Sequence, residues 1–176
     1  MSLKTLSLSE INQLDNARFI HELGAIFEHS PWVAHGVADQ RPFPTIAALH
    51  AAMVACVATA NHDQQLALIR AHPELAGKAA IRGELTQDST KEQSGAGLNA
   101  CSPEEYETLA RLNTAYNEKF RFPFILAVTG HNRASIIENF TSRLGNTQAV
   151  EFEMCLQQIY RIAEIRLRAL IRDSLL

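Results

Sequence analysis

The chain has 176 residues, 47% hydrophobic and 20% charged, which suits one compact globular domain with a sizeable core. Its 16 basic and 19 acidic residues leave a net charge of −3, with no basic run and no interleaving of arginine with aromatics, so nucleic acid is not an expected partner. The longest apolar stretch, 46–60, is broken by His50 and is too short to span a bilayer, so no membrane role is expected. Cys56, Cys101 and Cys155 stand singly. An odd count without a CxxC pair argues against a disulfide framework or zinc ribbon and fits a reducing cytosol. Met1-Ser2-Leu3-Lys4-Thr5 lacks the charged and apolar regions of a secretory signal, and Asp173-Ser174-Leu175-Leu176 is not the peroxisomal Ser-Lys-Leu, so a cytoplasmic location is expected.

Helix start signals recur along the chain with little strand signal between them. Asn16 is placed to cap a helix over 17–27, where Phe19, Ile20, Leu23, Ile26 and Phe27 keep helical spacing. Ser30-Pro31 reads as N-cap and first position of a short helix to about residue 38. After the Pro-containing connection 40–44, Thr45 opens a strongly apolar, central helix to about residue 60. A further helix over 62–71 stops at His72-Pro73, because proline biases the residue before it toward extended backbone. Residues 77–87 read as an exposed loop and 89–98 as a short helix. Ser102-Pro103-Glu104-Glu105 is a strong helix start with Glu105 placed for a capping box. The run 122–128 is the one strand-like stretch, but Pro123 and its isolation argue against a central strand, so a buried extended segment, with the option of a short helix after it, is expected. Residues 135–144 and about 147–172 read as helices. The expected fold class is therefore all-α, a single-domain bundle of about eight helices with short connections over 1–176.

On a helical wheel of the last helix, Phe152, Cys155, Leu156, Ile159, Tyr160, Ile162, Ala163, Leu167 and Leu170 fill one arc, while Arg161, Glu164, Arg168 and Arg172 fall opposite. Arg166 lies inside the apolar arc. A guanidinium cannot shed its charge, so a buried one must be paired. Two readings stay open: a structural arginine held by an internal carboxylate, or an anchor for an anionic ligand, which the planar fork suits.

His72-Pro73-Glu74-Leu75-Ala76-Gly77-Lys78 and Ser89-Thr90-Lys91-Glu92-Gln93 put an imidazole, a hydroxyl, a carboxylate and a carboxamide close together in sequence. Imidazole is the side chain whose ordinary pKa lies near neutrality, and a break between helices can aim it into a cleft. Ser89-x-x-Glu92 also reads as a capping box and nothing more. Gln93 is not explained by that box, and beside Glu92 at a helix start it suits a polar ligand. Gly77-Lys78 lacks the upstream glycine of a phosphate loop, the scattered histidines have no metal-ligand spacing, and there is no GxSxG, so neither a metal nor a serine nucleophile is expected. Cys101 beside a helix cap is a candidate for a lowered thiol pKa, without a base to pair with it.

His-Pro-Glu-Leu-Ala-Gly-Lys at 72–78, Ser-x-x-Glu-Gln-x-x-Ala-Gly-Leu at 89–98 and Asn-x-x-Tyr-x-x-Lys-Phe-x-Phe-Pro-Phe-Ile at 113–125 resemble 2-oxo-4-hydroxy-4-carboxy-5-ureidoimidazoline (OHCU) decarboxylase. So do Glu-His-Ser-Pro-Trp-Val-Ala at 28–34 and Arg-Ile-Ala-Glu-Ile-Arg-Leu at 161–167. One departure is Arg121, where a small residue, usually glycine, is expected. The resemblance implies an all-helical, cofactor-free enzyme of urate breakdown, often a homodimer, that converts an anionic ureidoimidazoline to (S)-allantoin with loss of carbon dioxide. By match of motif it implies His72, Glu92 and Arg166 as catalytic residues. Pro73, Ser89, Gln93, Phe124 and Ile125 become substrate-binding residues, the last two within a stretch whose backbone lines the family's pocket. Two other classes fit the same residues: a cofactor-free hydrolase or lyase on a related ureido or imidazoline compound, and a non-enzymatic helical binding module in which Arg166 and the capping box are structural.

Overall fold

The computed structural model describes residues 6–172, and both terminal pentapeptide and tetrapeptide readings, at 1–5 and 173–176, lie outside them. The expectation of an all-α chain holds. The described residues form ten α-helices, two 3-10 turns and one parallel pair of two-residue strands, Leu6–Ser7 (β1) and Ile171–Arg172 (β2), in register Leu6 to Ile171. None of the helices among the described residues is long and apolar enough to cross a membrane. The chain divides into two compact units, Met1–Ala71 with Tyr160–Leu176, and His72–Ile159.

The first unit contains α1 (Leu8–Gln13), α2 (Asn16–Leu23), α3 (Trp32–Val37), α4 (Ile46–Ala58) and α5 (His62–Ala71), together with the later part of α10 (Gln148–Leu170). Asp15, not Asn16, caps α2: its side chain accepts from the Arg18 N–H at 2.8 Å, while Asn16 donates to Asp39 Oδ1 at 2.8 Å. The helix stops at Leu23, earlier than the periodicity predicts, and Ile26 and Phe27 reach the core from a turn. Ser30 does not cap α3. Its hydroxyl donates instead to the Glu28 carbonyl at 2.9 Å, which stabilises the turn that carries Glu28. Thr45 caps α4 as expected. That helix buries only the stripe Ile46, Leu49, Met53 and Val57, and Ala47, Ala51 and Ala55 are exposed. Its strongly apolar sequence thus reflects alanines on the outer face, not burial on all sides.

The second unit contains α6 (Lys78–Ile81), α7 (Gln87–Gly95), α8 (Pro103–Phe120), α9 (Arg133–Arg143) and the earlier part of α10. The predicted capping box of α8 forms, with the Ser102 N–H donating to Glu105 Oε2 at 2.8 Å and the Glu105 N–H to Ser102 Oγ at 3.2 Å. The expected 77–87 loop contains one helical turn, α6, before the exposed residues 82–84. Residues 122–128 are irregular and buried throughout, as expected, but no short helix follows; α9 begins at Arg133, capped by Asn132. The core here is aromatic. The Tyr116 ring lies 4.5 Å from Phe120, 5.3 Å from Phe124 and 5.7 Å from Phe140, and Phe124 stacks on Phe140 at 3.9 Å. Such offset and edge contacts add to the burial of large rings.

Candidate active site

Seven of the eight residues predicted for the site lie in the second unit within three elements: the turn that follows α5, helix α7 and the irregular segment after α8. His72 and Pro73 belong to the turn, and the His72 side chain is buried at 6% exposure. The backbone that follows is unusual. Ala76 sits in the left-handed region at φ 49°, a conformation costing a residue with a Cβ about 1–2 kcal/mol. A Cβ on Gly77 would stand 2.6 Å from Glu74 Cβ and 2.8 Å from Glu74 Oε2, so only glycine lets the chain pass this close to Glu74.

Strain of this kind persists only where the surroundings over-determine it. Three carboxamides do so here. Gln93 Oε1 accepts from the Ala76 N–H at 2.9 Å and its Nε2 donates to the Glu74 carbonyl at 3.2 Å. Asn113 Nδ2, on α8, donates to the Leu75 carbonyl at 3.0 Å. One turn later, Asn117 Nδ2 donates to Glu74 Oε1 at 2.7 Å. The sequence left Gln93 unexplained; half of its four hydrogen-bonding positions hold the turn that begins at His72.

The capping-box reading of Ser89 and Glu92 is overturned. Thr86 caps α7, its hydroxyl accepting from the Ser89 N–H at 3.3 Å, because the helix starts at Gln87. Ser89 is therefore inside the first turn, with its side chain buried at 4% exposure, and Glu92 is half-buried one turn further on. Neither side chain serves as a cap, so the local explanation for this pair is removed.

Phe124 and Ile125 lie in the irregular segment, both buried. Sequence reasoning missed what holds them. Arg143, at the end of α9, donates from Nη1 to the Ile125 carbonyl at 2.6 Å and lies 4.3 Å over the Phe124 ring. Glu151 on α10, fully buried, accepts from Arg143 Nε at 2.7 Å and from the Tyr116 hydroxyl at 2.6 Å on Oε1, and from Asn146 Nδ2 at 2.8 Å on Oε2. Farther along, Gln158 Oε1 accepts from the Ala127 N–H at 3.0 Å. Burial, reinforced by Cys155 and Glu151 beside it, pushes the Tyr116 phenol far above its ordinary pKa, and burial likewise raises the Cys155 thiol. Both act as neutral groups around one ion pair. A signal was available: Ile136, Phe140 and Arg143 share a helix face, the pattern that singled out Arg166.

Arg166 belongs to the first unit, on α10, and is buried at 6% exposure as the wheel predicts. Its Nη1 donates to Glu28 Oε2 at 2.7 Å, with the Ala25 and Ile26 carbonyls at 3.4 and 3.5 Å. The internal carboxylate of the structural reading thus exists. Cys101 does not have the lowered pKa considered for it: burial and the Glu105 carboxylate raise it, against a smaller opposing effect of Arg133.

The model of the OHCU decarboxylase family matches residues 12–168. The chain belongs to the OHCU decarboxylase family. It is 40% identical over 162 residues to a 2-oxo-4-hydroxy-4-carboxy-5-ureidoimidazoline decarboxylase of Haloferax volcanii, covering 92% of this chain and 94% of that one. It is 39% identical over 168 residues to the uric acid degradation bifunctional protein PucL of Bacillus subtilis, where the match covers 96% of this chain and 33% of the relative. Among solved structures, an (S)-allantoin synthase superposes with a TM-score of 0.78 at 29% identity, over 95% of this chain and 54% of that chain. An OHCU decarboxylase crystallised in the presence of (S)-allantoin shares the fold, with a TM-score of 0.69 at 22% identity over 91% of this chain and all of that one.

Proposed function

We propose that this chain is a carboxy-lyase that decarboxylates OHCU to (S)-allantoin in urate breakdown. The observation that carries the reading is the buried His72 imidazole at the head of a strained turn over-determined by three carboxamides, within a chain of this family. Ordered presentation of one imidazole is what a stereospecific proton transfer needs.

The chemistry requires little else. The substrate carboxylate is on a hydroxyl-bearing ring carbon next to electron-withdrawing groups. Breaking its C–C bond releases carbon dioxide and leaves the electron pair on the ring as an enolate-like carbanion. The hydroxyl becomes the carbonyl of the product, and a proton added to one face of the neighbouring carbon gives the S configuration. The ring itself delocalises the charge, so the reading assigns no metal or organic electron sink. In this reading His72 does acid–base or polarising work at the hydroxyl, beside Pro73. Glu92, Gln93 and the 124–125 backbone hold ureido and ring N–H and C=O groups, Ser89 adds a hydrogen bond, and Arg166 orients the anionic substrate. Gln93 retains one N–H and one lone pair beyond its two bonds to the turn. A cytoplasmic homodimer goes with the reading, and light scattering tests the dimer.

The deciding experiment incubates the protein with freshly generated urate-oxidation products and follows (S)-allantoin by circular dichroism. Wild type should accelerate its formation, and His72→Asn should fold normally yet lose about 10²–10⁴-fold of that rate. Turnover near wild type in that variant removes His72 from the mechanism.

A further inference from the structure

We infer that Asn113 is a positioning residue for His72, acting through the Leu75 carbonyl; this rests on the decarboxylase reading of the same site. Asn113 is on α8, 38 positions along the chain from Leu75, and its amide donates to that carbonyl at 3.0 Å. The side chain is 4% exposed, and its Oδ1 is buried without a hydrogen-bond partner among the described residues. An unsatisfied buried acceptor is destabilising. Both helical neighbours of its stripe, Leu109 and Leu112, are buried apolar residues, so a leucine at 113 would suit packing and remove that acceptor. Asparagine at this position thus gains little stability over leucine, because its orphan acceptor offsets the bond it makes, and what it adds is a donor to the turn.

The donor matters because of where Leu75 lies. It stands between Glu74, whose carbonyl and carboxylate are tied to Gln93 and Asn117, and Ala76, which is held at φ 49° with its N–H on Gln93. A turn with a left-handed alanine relaxes toward ordinary backbone unless each side is pinned. Gln93 pins the outer groups from α7. Asn113 pins the central carbonyl from α8, so that the two helices together set the direction of the chain leaving His72. Loss of the Asn113 donor lets the carbonyl rotate and the imidazole sample off-line orientations, and misplacement by about 1 Å is enough to slow a positioned proton transfer strongly.

The test compares Asn113→Leu and Asn113→Asp with wild type. Leucine removes the orphan acceptor and creates another at Leu75, so thermal stability should change little. Turnover per folded molecule should fall at least tenfold with KM within about threefold, because binding groups stay in place and orientation is lost. Aspartate sets a carboxylate against the Leu75 carbonyl, whereas its protonated form can donate in place of the amide. The ratio of Asn113→Asp to wild-type kcat should therefore rise as pH falls. Glu74, the other carboxyl group in this clamp, is present in both proteins and cancels in the ratio. Independently of turnover, the His72 ring signals in a 15N spectrum should broaden or double in Asn113→Leu. Wild-type kcat per folded molecule with an unchanged His72 spectrum in Asn113→Leu overturns the inference, even where stability drops. Absence of wild-type turnover, by contrast, overturns the decarboxylase reading and leaves the spectral result to judge the clamp.

Discussion

The second unit holds two irregular, buried backbone segments by opposite means. The turn at 72–77 is held by neutral carboxamides on two helices, with a strained Ala76 and one unsatisfied acceptor at Asn113. The segment 122–128 is held by a buried ion pair whose carboxylate oxygens both accept hydrogen bonds, and by aromatic stacking on Phe140. A charge removed from water must be fully answered or the fold fails, whereas a carboxamide clamp can be incomplete at modest cost. The ion-pair segment is therefore built for rigidity of the core, and the carboxamide turn for directing one side chain. Perturbing the first should appear as lost stability, and perturbing the second chiefly as lost rate.

The largest effect expected on this contrast is at Glu151. Glu151→Ala leaves the Arg143 guanidinium buried without its carboxylate and should destabilise the chain by about 3–5 kcal/mol. Urea unfolding read by fluorescence and circular dichroism measures it. A loss below about 1 kcal/mol would mean that Arg143 finds water or another acceptor, and the contrast between the two segments would disappear.

A smaller effect is expected at the turn from Gly77→Ala. The new Cβ meets Glu74 at 2.6 and 2.8 Å, so the Glu74 side chain must move off Asn117. The cost in stability should be about 1–3 kcal/mol, the range for overpacking. The fall in kcat should exceed what the folded fraction explains, because the displaced contact belongs to the clamp. If activity per folded molecule is unchanged, the Glu74–Asn117 contact is packing alone.

The same two segments show which parts of the structure were legible in the sequence. Helix boundaries set by local chemistry were readable: α5 spans His62–Ala71 because Pro73 follows, and α8 begins at the Ser102–Glu105 box. Where two caps compete within three residues, local chemistry does not decide. Both Thr86 and Ser89 can cap a helix, Glu92 completes a box only with Ser89, and yet α7 starts from Thr86. The burial of Arg166 followed from periodicity, but its partner Glu28 did not, since a wheel ranks faces and not carboxylates far along the chain. Asn113, Asn117 and Arg143 escaped for the same reason: each acts on a carbonyl or carboxylate in another element, and their residue types alone look like ordinary helix content.

The smallest effect tests the junction where α8 enters the ion-pair segment. Arg121 takes the left-handed conformation at φ 62° and ψ 22°, its N–H closing the helix on the Asn117 carbonyl at 2.9 Å. This is the helix-terminating position that favours glycine, and the family pattern expected a small residue there. The backbone geometry is thus retained in spite of the side chain, which costs about 1 kcal/mol relative to glycine. Glycine also widens the unfolded ensemble, and this reduces the gain. Arg121→Gly should therefore raise the melting temperature by about 1–3 °C in a domain of this size. Its kcat should match wild type, because the aromatic stack and Arg143 hold the backbone beyond residue 121. A lower melting temperature would show that the arginine stabilises the chain through its side chain by more than its backbone strain costs.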